Sequence, residues 1–269
     1  LIDDYVRPTL AGERIGSLAI TEPDAGSDVA HLRTTAVRDG DHYVVNGTKT
    51  FITSGVRADF VTVAVRTGGT DRPGASGISL LVIDKDSPGF TVTRALAKMG
   101  WHCSDTAELS FVDVRVPVEH LVGSENEGFG YIAEAFVSER IALAVQAYAI
   151  AARSLMLATA YCRERETFGK PLISRQVVQH KLVEMHRQVE VARSYTRSVT
   201  ERYVAAGSVA TPQAIADAVL AKQTAVEASQ AVCDAAVQLH GGPGICAAPR
   251  WSATTGTPGS CPSEEEQPT

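Results

Sequence analysis

The pattern of hydrophobic and polar positions divides the chain into two regions with different periods. Between residues 16 and 116, apolar and polar residues alternate in short runs such as FVTVAVRT and ELSFVDVRV. Alternation with a period of two predicts β-strands, and turn residues such as the Asp39-Gly40 pair separate the runs. Several short strands at this spacing predict a barrel or a sandwich.

Beyond residue 126 the apolar positions recur with a helical period, which predicts helices over roughly 127–163, 174–206 and 211–239. Ser174 and Thr211 are the expected N-caps of the second and third helices. Long alanine-rich helices with short connections predict an up-and-down bundle. The second helix carries an apolar stripe: Val178, Leu182, Met185, Val189, Ala192, Val199 and Tyr203.

Composition and charge exclude some classes of partner. A length of 269 residues with 44% hydrophobic residues allows one large domain or two ordinary ones. The net charge of −6 offers no basic field for nucleic acid. No apolar run is expected to be long enough to span a membrane, and no leader opens the chain, so we expect a location in the cytoplasm or an organelle matrix.

The cysteines and histidines give no sign of a metal site. The five cysteines are scattered and odd in number, and the seven histidines lack ligand spacing. Reduced thiols and no bound metal are therefore expected. The cysteines are Cys103, Cys162, Cys233, Cys246 and Cys261.

Two segments carry candidate chemistry. In LAITEPDAGSDVA (18–30) a strand leads into a loop whose main-chain N–H groups and hydroxyls would suit a pyrophosphate, although an ordinary strand-end loop has the same composition. In AFVSERIALAVQA (135–147) the pair Glu139-Arg140 interrupts an apolar helix. The alternative for Glu139 is a surface carboxylate, and for Arg140 a packing arginine with its head in water.

Four motifs in a fixed order identify a family resemblance. ITEPDAGSD, NGTKTFITSG, RERETFGKPL and VQLHGGPG follow one another between residues 20 and 244. Together they resemble the acyl-CoA dehydrogenase family of FAD flavoproteins. That family has an N-terminal helical domain, a central β domain and a C-terminal four-helix domain, and it usually forms tetramers or dimers.

The resemblance implies an α+β multidomain chain, with a central antiparallel β-barrel or sandwich domain followed by an α-helical up-and-down bundle. Both ends are expected to be truncated relative to the family. The expected parts are a remnant of the N-terminal helical domain (1–15), the central β domain (16–120) and the C-terminal bundle (121–245). The tail (246–269) has a composition that predicts disorder.

The resemblance also implies a reaction, the dehydrogenation of an acyl-CoA thioester to the trans-2-enoyl-CoA. Glu139 falls where the isovaleryl-CoA and long-chain branches take a catalytic base from a Glu-Arg pair. It would accept the α proton while the β hydride passes to flavin N5. A buried carboxylate suits this role because burial raises its pKa toward the working pH. Ser27, Val137 and Arg140 would contact the substrate.

FAD is the implied cofactor. Thr21 would bond the ring edge, Ser27 would lie near the pyrophosphate, Phe51 would pack on the ring and Thr53 would donate to N5. A second group would reach the adenine and diphosphate from a neighbouring subunit, and Pro243 departs from the residues usual beside it. The implied set is Leu18, Ile20, Thr21, Gly26, Ser27, Phe51, Ile52, Thr53, Arg165, Phe168, Gln176, Gln238, Gly241 and Gly242.

The implied partners are the acyl-CoA substrate, an electron-transferring flavoprotein as electron acceptor, and further copies of the chain in a homo-oligomer. Two alternatives stay open. An acyl-CoA oxidase would perform the same first half-reaction and pass electrons to oxygen. A catalytically silent fragment would bind flavin or CoA only weakly, since the family's N-terminal domain and final helix are expected to be missing, which would leave apolar surface uncovered.

Overall fold

The chain forms two compact units. The first comprises Leu1–Lys98 and Ser104–Ile132, and the second comprises Met99–Cys103 and the residues from Ala133 onward. The computed structural model describes residues 1–69 and 74–245, so the tail predicted to be disordered lies outside the described residues. Residues 121–132, assigned from the sequence to the helical domain, group with the β unit.

A single mixed sheet forms the centre of the first unit. Its order is β1-β4-β2-β3-β7-β6, with β5 paired to β4. The β1/β4 pair is parallel, and β2 meets the end of β4 in parallel as well, so the sheet is not wholly antiparallel. The strands are β1 Gly16–Ala19, β2 Thr35–Asp39, β3 His42–Thr53, β4 Phe60–Arg66, β5 Ile78–Asp84, β6 Phe90–Ala95 and β7 Thr106–Pro117.

Alternation of side chains along these strands builds the core of the β unit. In β3 the buried Tyr43 and Val45 alternate with less buried neighbours, as the period of two predicts. The Asp39-Gly40 turn joins β2 to β3 with Asp39 opposite His42, which confirms the predicted hairpin. The fully buried members of the core include Val45, Val63, Val65, Leu81 and Val114.

Gly47 marks a close approach between two chain segments of this unit. A Cβ atom at this position would lie 2.4 Å from the Thr34 Oγ1 atom and 2.7 Å from its Cα. Thr34 is itself buried, so the neighbour has little room to move away. Only glycine fits here without displacing the residues that precede β2.

The N-terminal residues pack on the β unit. Ile2–Val6 forms a π-helical turn that runs into α1 (Arg7–Ala11), and the buried Tyr5 ring packs edge-on against Phe60. The Tyr5 hydroxyl and the Arg14 guanidinium both donate to Asp84, each at 2.7 Å. Burial and the Asp84 carboxylate raise the pKa of Tyr5. This ion pair lies near the start of β1.

Three long helices form the second unit, as the helical period predicts. They are α2 (Gly128–Glu164), whose first turn belongs to the β unit, α3 (Gln176–Ala205) and α4 (Pro212–His240). Six of the seven stripe positions on α3 are buried, and Tyr203 packs partly buried beside them. Buried alanines of α2 and α4 permit close helix contacts, among them Ala144, Ala151, Ala218, Ala221 and Ala225.

Two features of this unit were not predicted from the sequence. A short hairpin, β8 (Glu166–Thr167) and β9 (Lys170–Pro171), separates α2 from α3. In addition, α2 is long and apolar enough to span a membrane by length and composition alone. A helix from the interior of a bundle meets the same criteria, so a single such helix is weak evidence for a span.

The two predicted N-caps have different outcomes. Thr211 is confirmed, because its hydroxyl accepts a hydrogen bond from the Ala214 main-chain N–H at 3.1 Å. Ser174 as the N-cap of α3 is wrong. Arg175 occupies the N-cap position of that helix without a side-chain hydrogen bond to it, and the Ser174 hydroxyl donates to the Pro171 carbonyl at 2.7 Å. A 3-10 turn over Leu172–Ser174 moves the helix start along the chain.

Replacing the cap should destabilise the bundle. The change Thr211→Ala removes the acceptor of the Ala214 N–H, and we expect it to lower the free energy of unfolding by about 1 kcal/mol. Urea denaturation followed by circular dichroism measures this loss. The matched variant Ser174→Ala removes a hydroxyl that caps no helix and should cost less than about 0.5 kcal/mol. Equal losses in both variants would contradict the assignment.

Candidate functional site

The end of β1 and the end of β3 lie side by side in the β unit. The Thr50 main-chain N–H donates to the Thr21 carbonyl at 2.9 Å, and the Ser17 hydroxyl donates to the Thr53 carbonyl at 2.6 Å. The first bond joins the segment ITEPDAGSD to the segment TFITSG, and the second joins β1, which leads into ITEPDAGSD, to the same TFITSG segment. The two motifs that the resemblance assigns to a flavin ring therefore meet at one end of the sheet.

The first segment forms a tight loop with an exposed tip. Glu22 and Ala25 exchange main-chain hydrogen bonds of 3.0 and 3.1 Å, which close a turn at the base of the loop. Gly26, Ser27 and Asp28 follow this turn and are exposed. A Cβ atom on Gly26 would meet nothing closer than Thr21 Cγ2 at 4.0 Å, so the space beside it is open. The tip can therefore receive a polar ligand.

A bulge in β3 turns Phe51 outward. The register of β3 against β7 shifts between Lys49 and Ile52, and Phe51 has a left-handed backbone with φ of 58°. The Phe51 side chain is 67% exposed while Ile52 is only 2% exposed. A left-handed phenylalanine costs backbone energy, which is stored more often at functional sites than elsewhere.

The flavin-site residues predicted for this unit fall into two groups. Leu18 and Thr53, like Phe51, present exposed side chains, and Thr21 is partly exposed. The Ile20 and Ile52 side chains are buried in the protein, so their part in any ligand contact is limited to the main chain. The exposed group combines two apolar side chains with hydroxyls, which is the mixture that a planar polar ring needs.

A buried ion pair lies directly beneath the loop. Lys49 is fully buried and Glu22 nearly so, and the Lys49 Nζ lies 2.8 Å from Glu22 Oε1. Burial lowers the pKa of Lys49 to about 8, against the pull of Glu22. Burial also acts to raise the pKa of Glu22, but Lys49 and the hydrogen bonds from Lys49, Thr34 and Arg33 outweigh it and hold that pKa below its usual range. Both groups are therefore mainly charged at neutral pH.

The predicted base lies on the wall of a cleft in the helical unit. Glu139 is exposed, and within the described residues its carboxylate has no hydrogen-bond or ion-pair partner. Glu139 and Arg140 line a cleft of about 390 Å³ between α2 and α4, together with Lys222. Arg140 stacks over the Phe136 ring at 5.3 Å. The cleft thus combines one free carboxylate with two cations.

The exposure of Glu139 differs from the expectation of a buried base. The helical unit leaves this carboxylate open to water, so desolvation would have to come from a ligand that covers it. Val137, predicted to contact substrate, is fully buried among the apolar side chains of the bundle. Its side chain is therefore part of the helical core.

The remaining predicted cofactor residues gather at one end of the bundle. The Tyr161 and His240 rings stack at 4.5 Å and link the end of α2 to the end of α4. Phe168 stands at the tip of the β8/β9 hairpin, 96% exposed, with the Arg175 guanidinium 5.6 Å from its ring centre. The other exposed members are Arg165, Gln176, Gln238, Gly241 and Gly242.

No cluster of three or more His, Cys, Asp or Glu side chains able to hold a metal ion occurs in residues 1–69 and 74–245. Two charged groups that sequence reasoning did not select stand out instead. The Glu22–Lys49 pair was missed because lysine is rarely buried, and Lys222 because a single lysine on a helix gives no signal. Only the position of Glu22 and Lys49 inside two matching motifs could have drawn attention to them.

Comparison with known families assigns the chain. Residues 17–114 match the middle domain of acyl-CoA dehydrogenases, and residues 126–257 match the C-terminal domain. The chain belongs to the acyl-CoA dehydrogenase family. This confirms the resemblance and the predicted fold class.

Individual relatives agree with this assignment. The rat mitochondrial long-chain specific acyl-CoA dehydrogenase is 38% identical over 90% of this chain and 55% of its own length. A Mycobacterium abscessus structure, described as a probable acyl-CoA dehydrogenase, is 63% identical with a TM-score of 0.87, over 91% of this chain and 63% of the other. The Geobacillus kaustophilus acyl-CoA dehydrogenase is 41% identical with the same TM-score of 0.87 and the same coverage of 91% and 63%. The chain thus spans about half to two thirds of the length of these relatives.

The low pKa of Glu22 makes its contribution to stability depend on pH. A carboxyl group whose pKa is lower in the folded state stabilises the protein at pH values above 4.5, which is its usual pKa. This stabilisation is lost as the pH falls through the pKa that the group has in the folded state. The difference in melting temperature between the unchanged protein and Glu22→Gln should therefore narrow from about pH 6 to about pH 3. Glu119→Gln, an exposed carboxylate of the same unit, is the control and should show a small difference throughout. A constant Glu22→Gln difference over this range would contradict the prediction.

Proposed function

We propose that this chain carries the flavin-binding and catalytic parts of an FAD-dependent acyl-CoA dehydrogenase. The observation that carries the proposal is the hydrogen bonding of Thr50 to Thr21 and of Ser17 to Thr53, at 2.9 and 2.6 Å. These two hydrogen bonds bring an exposed aromatic ring, an open loop and two exposed hydroxyls together at one end of the sheet. Family membership, with four ordered motifs, supports the same function.

The residues of the β unit fit an isoalloxazine ring. Phe51 and Leu18 are 67% and 44% exposed, so they offer an apolar wall. Ser27 and Thr53 add exposed hydroxyls, and the open space at Gly26 lets a ligand approach the main chain. In this proposal Thr21 bonds the ring edge, Thr53 donates to the ring and Ser27 lies near the pyrophosphate. When bound, FAD supplies the acceptor for the hydride that leaves the β carbon of the substrate.

The end of the bundle fits the adenine half of the cofactor. Gly241 and Gly242 leave open space, since a Cβ atom on either would meet nothing within 4 Å. The exposed Phe168 ring offers a stacking surface, and Arg165 offers a planar donor for phosphate. Gln176 and Gln238 add exposed amides, and in a homo-oligomer this group would serve the cofactor of a neighbouring subunit.

Glu139 is the proposed base for the α proton of the thioester. Its carboxylate is free of any partner among the described residues, and it lines a cleft that an elongated substrate can enter. A substrate that covers this carboxylate would exclude water from the place where the proton is transferred. Arg140 and Lys222 on the same cleft would attract the phosphates of CoA.

The partners of the reaction follow from the same proposal. The acceptor is an electron-transferring flavoprotein, and the active form is a homo-oligomer. Stoichiometric hydrogen peroxide formed in air would instead identify an acyl-CoA oxidase. The location, in the cytoplasm or an organelle matrix, stays a prediction.

Glu139→Gln tests the base. The amide keeps the size of the side chain but cannot accept the proton, so the anaerobic bleaching of bound FAD by an acyl-CoA should slow by at least about 100-fold. Stopped-flow absorbance measures the rate, and the FAD content should not change.

The control for this test is Glu134→Gln. Glu134 is an exposed carboxylate on the same helix that does not line the cleft, so its variant should bleach at the unchanged rate. Bleaching of the Glu139→Gln protein as fast as the unchanged protein would contradict the assignment.

Phe51→Gly separates ligand binding from stability. Glycine adopts the left-handed backbone at this position without strain, which offsets part of the loss of an exposed ring, so we expect a change in unfolding free energy within about 1 kcal/mol. Loss of the apolar wall should weaken FAD binding by about tenfold. Quenching of flavin fluorescence measures the Kd. The control is Val37→Ala, at another exposed apolar position of the sheet, which should leave the Kd of FAD unchanged. An unchanged Kd in Phe51→Gly would show that Phe51 does not contact the ring.

A further inference from the structure

The Glu22–Lys49 pair is unusual because both charges are removed from water. The two side chains are 5% and 0% exposed. Apolar side chains of similar volume would generally stabilise a protein core as well as or better than a buried ion pair. Stability alone therefore does not explain why this pair is buried. The hydrogen bonds of the pair indicate a different role.

The pair holds both ends of the loop that follows β1. Lys49 Nζ donates to the Ile20 carbonyl at 2.9 Å, where the loop begins. The Glu22 carboxylate accepts the main-chain N–H groups of Arg33 at 2.6 Å and Thr34 at 2.9 Å, where the loop ends. One salt bridge thus fastens the entry and the exit of the loop to a central strand of the sheet.

Other contacts hold the loop near its exit, and the exposed Asp28 pairs with His31 at 2.7 Å. Arg66 donates to the carbonyls of Leu32 and Ala30, at 3.2 and 2.7 Å, near the exit. At the tip Gly26 and Ser27 are exposed, so their position depends on the fixed base. A loop with anchored ends and an open tip keeps its shape before any ligand arrives.

We propose that Glu22 and Lys49 are a positioning pair, which holds Thr21, Gly26 and Ser27 in the arrangement that receives FAD. This inference rests on the proposed function. Neither charge needs to touch the cofactor, since Lys49 is bonded to Ile20 and Glu22, and Glu22 to the main chain. The loop pays no ordering cost on binding because the pair has already fixed it.

The amount by which FAD binding weakens depends on the fraction of molecules whose loop has the conformation that binds FAD. The apparent Kd equals the intrinsic Kd divided by that fraction. If the loop without its anchor is competent in about one molecule in ten, FAD binds about tenfold more weakly. This loss is independent of the melting temperature, which distinguishes positioning from a purely structural role.

The double variant Glu22→Gln/Lys49→Met makes the test. It removes both charges together, so no unpaired charge is left buried, and the glutamine oxygen can still accept one main-chain N–H group. The Ile20 carbonyl loses its Lys49 donor. Three quantities are measured on the purified protein: the melting temperature, the Kd of FAD by fluorescence quenching, and the visible absorption spectrum of the bound flavin.

Arg14→Met is the matched control. It breaks another ion pair of the same unit, in which Arg14 lies 2.7 Å from Asp84 near the start of β1, away from the loop at the end of that strand. It should lower the melting temperature without changing the Kd of FAD or the flavin spectrum.

We expect the double variant to keep its melting temperature within a few degrees, to bind FAD about tenfold more weakly and to show a changed flavin spectrum. An unchanged Kd and spectrum in the double variant would overturn the inference, and so would an equal weakening in Arg14→Met. Should the double variant not fold, Glu22→Gln alone is measured under conditions in which it is folded, and an unchanged Kd of FAD in that variant overturns the inference as well. A wild-type protein that binds no FAD would overturn both the proposed function and the inference. If the wild-type protein binds FAD tightly and the double variant binds it equally tightly, only the inference is overturned.

Discussion

The hydrogen bonding of β3 on both edges is the constraint on which the β unit depends. Paired with β2 on one side and β7 on the other, this strand has little freedom to shift its register. Its pairing with β7 has two irregularities, and the one between Lys49 and Ile52 decides which of the residues at the end of the strand point inward and which point out. Lys49 and Thr50 stay inside, while Phe51 and Thr53 face outward. The bulge in β3 thus turns some neighbouring residues toward the interior of the protein and others toward its surface.

The two units contribute different chemistry. The β unit supplies a rigid sheet end with an aromatic ring, hydroxyls and a loop of fixed shape. The helical unit supplies a free carboxylate with two cations in one cleft, and an exposed aromatic ring with glycines at the end of the bundle. The sheet holds Phe51 and the long helices hold the charged groups of the cleft, and side chains on such elements are placed more precisely than side chains on loops. The division also explains why neither unit alone displays the whole set of residues that the family resemblance assigns.

Local patterns predicted the elements well where one signal dominated. The helical stripe on α3 and the hairpin at Asp39-Gly40 follow from periodicity and turn chemistry, which depend on neighbours in sequence. Ser174 failed as a cap because a 3-10 turn, stabilised by contacts along the connection, places Arg175 at the helix start instead. The hairpin before α3 was missed because its strands have only two residues each, too few for any period to appear.

Sequence motifs propose the members of the candidate site, but they do not predict the contacts that support it. Motifs select Thr21, Ser27, Phe51 and Thr53, yet no sequence pattern states that Lys49 is buried or that it bonds the Ile20 carbonyl. Such facts depend on contacts between distant segments, and lysine is ordinarily assigned to the surface. The sequence left open whether Glu139 is buried or lies on the surface, since one charged position within an apolar helix does not reveal which face it takes.

Gly47 carries a consequence for how this protein would respond to mutation. Any side chain there would collide with Thr34, whose main-chain N–H is bonded to Glu22. A saturation screen scored by the yellow colour of bacterial colonies would then rank Gly47 with the residues that we propose to contact the cofactor. Its intolerance would reflect crowding against Thr34 and not contact with a ligand, so a map of sensitive positions would overstate the binding surface.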